Sequence, residues 1–205
     1  MKLSNILIVP LTCLGLAGPG FAADYSDPTW PCVQRKVERL SLGLMWTHPV
    51  PETLPESAEA RRDIQELAGQ LGLRKLELEE LEPQIAAFAE KYAGDPDMLS
   101  HVFSSVFDSL SRRRGQIIGG IGDFSLGQIA LTEKIEGLRQ EMNAQLDADD
   151  PDFDRIDSLE AQLDWDQLIY SDRQKSIIYL CETPVILERR LYSAAQMLLS
   201  KVQKD

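Results

Sequence analysis

Histidine is nearly absent from the 205 residues, with two in all, and cysteine is sparse, with three. That scarcity excludes most catalytic and metal chemistry. His48 lies in a proline-rich linker and His101 near the start of a helical pattern. Neither has the neighbours of a Ser-His-Asp or Cys-His set. Cys32, His48, His101 and Cys181 are separated by 16, 53 and 80 residues, which matches no compact zinc-ligand loop. There is no Cys-x-x-Cys for redox exchange and no Cys-x-x-Cys-His for haem. Also missing are an apolar run long enough to span a bilayer, about 20 residues, and any sustained period-two alternation. A strand-built fold is thereby excluded, and the chain reads as all-α.

Basic residues are in deficit. The formal charge is −12, which argues against nucleic acid and anionic membrane surfaces as partners, since both recruit a basic face. Arg112-Arg113-Arg114 is the only basic run. Three successive helical positions point in three directions, so at least one of these arginines has to face the bundle or a partner.

The N-terminus carries the clearest address. Lys2 precedes an apolar run from Ile6 to Leu16, Pro19-Gly20 break it, and Gly20-Phe21-Ala22 suit cleavage after Ala22. Residues 1–22 therefore read as a signal peptide, and Cys13 leaves with it. Its removal takes away one basic residue, Lys2, leaving 20 basic against 33 acidic residues. The expected location is exported and periplasmic. The exported chain then holds two cysteines, and an even count in an oxidising compartment predicts a Cys32–Cys181 disulfide.

Three segments follow. Residues 23–56 form an N-terminal arm: an extended lead with Pro28 and Pro31, a short amphipathic helix over Cys32–Met45 inferred from Val33, Val37, Leu40 and Leu44, and an extended linker from Thr47 to Pro55. Residues 57–205 read as a long-helix bundle. Ser57 caps a first helical stretch to about Tyr92, with a kink or a break into two helices at Pro83. Gly94-Asp95-Pro96 is a stop and a new start. A second helix runs to about Leu146, and a third begins at Asp152–Asp154 and bends at Pro184. Between these two, residues 147–154 form an acidic tip.

Heptad spacing flanks that tip, with Leu131, Ile135, Leu138 and Met142 leading in and Ile156, Leu159 and Leu163 leading out. This predicts an antiparallel coiled-coil hairpin. The fold expected is an elongated antiparallel helical bundle with a coiled-coil hairpin and an extended N-terminal arm. Residues facing one another across the tip should have numbers adding to about 299, which sets Ile118 beside Cys181 and Gly115 beside Pro184. A similar rule about the turn at 95 sets Leu71 beside Gly119. Gly69, Gly72, Gly115, Gly119, Gly120, Gly122 and Pro184 would then share one level, as a close-packing site or a hinge.

The aspartates of the tip do not follow the calcium-loop pattern, because Pro151 occupies the fifth position from Asp147 and the glycine is missing. Gly115 to Gly119 is formally Gly-x-x-x-Gly, but the polar residues around it exclude a membrane span. No catalytic residue, metal or cofactor is assigned, and the chain is not expected to be an enzyme. The function expected is a non-catalytic scaffold, adaptor or accessory subunit of a cell-envelope protein complex, with homo-oligomerisation open. Trp30, Trp46, Arg112, Arg113, Asp149 and Asp150 are the candidate partner contacts. The other reading is a periplasmic small-ligand- or metal-binding bundle.

Overall fold

The structure, a computed structural model, describes residues 27–203. The expected signal peptide and its cleavage point fall outside them. Four helices follow in chain order: α1 (Ala58–Gly72), α2 (Glu82–Lys91), α3 (Pro96–Leu146) and α4 (Phe153–Leu199), with 3₁₀ turns at Leu42–Leu44 and Glu79–Leu81. There is no strand among the described residues. α3 has 51 residues and α4 has 47, so the hairpin they form is about 70–75 Å long at 1.5 Å per residue.

Local chemistry sets the helix ends. Ser57 Oγ accepts from the Ala60 N–H, the Asp95 carboxylate accepts from the N–H groups of Asp97 and Met98, and Asp152 accepts from Arg155. Each satisfies backbone donors that a first turn leaves orphaned. Between α2 and α3 the chain reverses through Ala93 and Gly94, both at positive φ (53° and 65°). The Gly94 N–H returns to the Ala89 carbonyl at 2.7 Å, which is the usual glycine termination of a helix. A Cβ on Gly94 would lie 2.8 Å from the Lys201 carbonyl oxygen. Only glycine therefore fits where the end of the chain closes over this turn.

The core lies at the base. Leu67 and Leu71 of α1, Ile85 and Phe88 of α2, Leu99 to Leu110 of α3, and Leu187 to Leu198 of α4 pack there, together with Trp46 from the arm. Beyond the base, α3 and α4 continue as a two-helix hairpin. Its buried seam includes Ile135 of α3 and Ile156, Leu159 and Leu163 of α4. The expected register holds. Lys134 Nζ lies 2.8 Å from Asp166 Oδ2, Gln128 Nε2 donates to the Tyr170 carbonyl at 3.3 Å, and Glu141 pairs with Arg155.

Three expectations are corrected. Residues Cys32–Met45 are not a helix, because their carbonyls are spent elsewhere: Gln34 O accepts from Trp30 Nε1 and Val37 O from Arg114 Nη1, each at 2.6 Å. The periodic apolar residues there do not share a buried face either, and Leu44 is 86% exposed. The break before α2 falls at residues 73–81 rather than at Pro83, which sits in the first turn of α2, where its missing N–H costs nothing. α4 continues as helix through Pro184, which is buried inside it.

The third correction concerns the shared glycine level. Arg190 Nε donates to the Leu71 carbonyl at 2.6 Å, and across the hairpin Arg190 faces the neighbourhood of Leu110. Leu71 therefore lies nearer the level of Leu110, with which it shares the base core, than that of Gly119. The rule about residue 95 assumed one uninterrupted helix, and the break between α1 and α2 removes that assumption.

Candidate functional site

Where the arm crosses the hairpin, Trp30, Cys32, Ile118, Ile121 and Cys181 form a second, smaller core. The Cys32–Cys181 bond is present, with the Cα atoms 5.5 Å apart. Further contacts hold the arm down. Ser125 Oγ donates to the Pro28 carbonyl at 2.6 Å. Asp27 accepts from both the N–H and the hydroxyl of Thr29 and from Lys36 Nζ. The Thr29 hydroxyl first, and then the Lys36 ammonium, hold the Asp27 carboxyl down at about 2.

Arg114 joins the arm to both long helices. It is 5% exposed, donates to Val37 O, and lies 3.5 Å from the Glu188 carboxylate, while its Nε has no partner. Burial pulls its pKa below the ordinary arginine value, and Glu188 opposes the shift. Beside it opens a cleft of about 580 Å³, with Trp30, Arg35, Arg114, Pro184, Glu188 and Arg189 among its walls. Three guanidiniums around one cleft make it locally positive on an acidic protein. A second cleft, of about 300 Å³, lies beyond Pro31 between Gln128 and Ile129 of α3 and Tyr170 and Ile177 of α4.

The predicted contact residues divide. Arg112, Arg113, Asp149 and Asp150 are exposed. Trp30 and Trp46 are both buried. Trp30 is buried in the smaller core, and Trp46 is 2% exposed, with its Nε1–H donating to Ser100 Oγ at 2.8 Å and its ring stacked 5.0 Å from Phe103. Burial of a Trp with its polar atom paired is the ordinary use of that side chain in a core. His48 lies at a tilt to Trp46 and His101 is buried. Among the described residues, no group of three or more His, Cys, Asp or Glu side chains is placed to hold a metal.

The glycines do not close-pack. A Cβ at Gly69, Gly72, Gly115, Gly119 or Gly120 would meet nothing within 4 Å, and at Gly122 it would touch only Thr29 of the arm, at 3.6 Å. Close approach of helix backbones is thereby removed as their explanation.

The sequence reading missed Arg114 as a site residue. Its signal was present: Leu110, Arg114, Ile118 and Ile121 fall at helical spacing on one apolar stripe, so the third arginine of the run was the one aimed inward. Also missed was the apolar outer surface of α4. Trp165 is 63% exposed and Tyr179 74%, with Leu168 and Ile178 exposed near them.

Searches of protein-family models, curated proteins and solved structures find no match to this chain. What the fold defines is a class: an all-α protein built on a long helical hairpin, with an N-terminal arm stapled across it by a disulfide. No helix of the described residues is long and apolar enough to cross a membrane.

Proposed function

We propose that this protein is an exported, non-catalytic scaffold or accessory subunit that binds a protein partner in the cell envelope through its hairpin. The observation that carries this reading is the distal hairpin. It buries a thin seam yet holds Phe153 out to solvent at the tip, beside the exposed Asp149 and Asp150. An apolar anchor ringed by charge is the composition of a protein contact. The disulfide supports an oxidising compartment.

Affinity capture from the native envelope, comparing the unmodified protein with Phe153→Glu and with Asp149→Lys/Asp150→Lys, tests the reading. A stoichiometric partner that is lost with the tip variants is the expected result. Identical capture by all three would remove the tip from the proposal.

The cleft beside Arg114 favours a second reading, the binding of a small anionic ligand between the arm and α4. A stoichiometric small molecule or chromophore in protein purified from its own host, released by Arg114→Met, would support it over the scaffold.

A further inference from the structure

The outer surface of α4 carries a heptad of its own. From Ala161 the spacing alternates four and three without exception through Trp165, Leu168, Asp172, Lys175, Tyr179 and Glu182 to Ile186. All eight residues are exposed. The face that α4 turns to α3 is a different one, marked by the buried Leu163, Asp166, Cys181, Pro184 and Leu187. A heptad seam on the solvent side of a helix is the signature of a second helix packed against it.

The seam is complementary to itself when reversed. In an antiparallel pair, a position of one strand meets d of the other, and here the facing residues have numbers adding to 347. Asp172 then meets Lys175 of the second copy, Leu168 meets Tyr179, Trp165 meets Glu182, and Ala161 meets Ile186, each twice about an axis between Arg173 and Gln174. Ala161 faces Ile186 at the ends, Trp165 faces Glu182 next to them, Leu168 and Tyr179 make an apolar layer inside those, and opposite charges face each other at the centre. A parallel pair would place Asp172 on Asp172 and Lys175 on Lys175, which is repulsive. Within one chain the same two charges make only an exposed i, i+3 contact, 3.0 Å from Lys175 Nζ to Asp172 Oδ1. Such a pair is weak in water and free to exchange partners.

We infer that the partner of this surface is a second copy of the chain, joined α4 to α4 in an isologous, antiparallel coiled coil of about 38 Å. The two central layers are charged and set the register, so the association is reversible and depends on concentration. The proposal stands apart from partner binding at the tip, since residues 147–154 lie outside the seam.

Sedimentation equilibrium of the oxidised full chain tests it. The expected mass is twice that of one chain at high concentration and falls on dilution. Lys175→Asp, like Asp172→Lys, brings like charges together in both central layers, and each should weaken association by about tenfold or more. The double exchange Asp172→Lys/Lys175→Asp should restore it. Leu168→Cys/Tyr179→Cys should give a disulfide-linked dimer on oxidation, since two positions eleven residues apart on one helix cannot reach each other. Three results would overturn the proposal: a monomer at every concentration, a dimer indifferent to the single reversals, or a folded double-cysteine variant that does not cross-link. Phe153→Glu should dimerise normally, so failure at the tip and failure at the seam are told apart.

Discussion

Gly119 and Gly120 sit in the middle of α3 with open space where a side chain would begin. Glycine in a helix interior is about 1 kcal/mol less favourable than alanine, because its unfolded chain has more freedom to lose. With nothing within 4 Å to clash, Gly119→Ala and Gly120→Ala should each stabilise the protein by about 0.5–1 kcal/mol. For a chain of this size that is a rise of about 1–4 °C in Tm. The contrasting position is Gly94, at φ +65° with Lys201 O 2.8 Å from a would-be Cβ. There alanine meets both a left-handed backbone, about 1–2 kcal/mol, and overpacking against backbone, about 1–3 kcal/mol. A loss of about 2–5 kcal/mol should follow. Urea unfolding of the three variants, followed by far-ultraviolet circular dichroism at a constant m-value, separates the signs. A loss of more than about 1 kcal/mol in Gly119→Ala or Gly120→Ala would refute the reasoning and restore close packing, or a partner already seated there, as the use of these glycines.

Opening the Cys32–Cys181 loop, which spans 149 residues, with Cys32→Ser/Cys181→Ser should cost up to about 5 kcal/mol in the chain-entropy model; limited proteolysis should then cut first in the arm, and cleavage elsewhere would contradict its staple role. Trp46→Ala empties a site at the base of the core and leaves Ser100 Oγ without its donor, so denaturant unfolding should show a loss of about 3–5 kcal/mol, whereas a surface contact residue would leave stability unchanged. The folded-state pKa of Asp27, at about 2, lies below the unfolded value of about 3.9. Its contribution is therefore present above about pH 4 and is lost as pH falls through 2. Protection of the Thr29 amide, taken relative to the intrinsic exchange rate at each pH, should fall over that window, and Asp27→Asn should abolish the change.

Much of this architecture follows from the sequence alone, because its determinants are local. Helical periodicity needs only neighbours three and four residues away, and Ser57, Asp95 and Asp152 cap the helices they begin. Once a short tip joins two long helices, their register is fixed by counting, which is why Lys134 meets Asp166. The even number of cysteines expected after signal cleavage was enough to predict the disulfide.

The arm, the tryptophans and the glycines were settled only by the tertiary structure. Val33, Val37, Leu40 and Leu44 satisfy a helical pattern, yet Arg114, 77 residues away in sequence, takes the Val37 carbonyl, and a bond to Cys181 fixes where the segment starts. Trp46 reads as an exposed anchor until Ser100, 54 residues on, supplies its hydrogen-bond partner inside the core. A register carried across the loop at 73–81 is lost because that loop has its own geometry, so Leu71 came to rest beside Arg190 rather than Gly119. In each case, energies of similar size compete between local pattern and distant partner. The sequence displays the first in one dimension; the second exists only once the chain has brought the partner within reach.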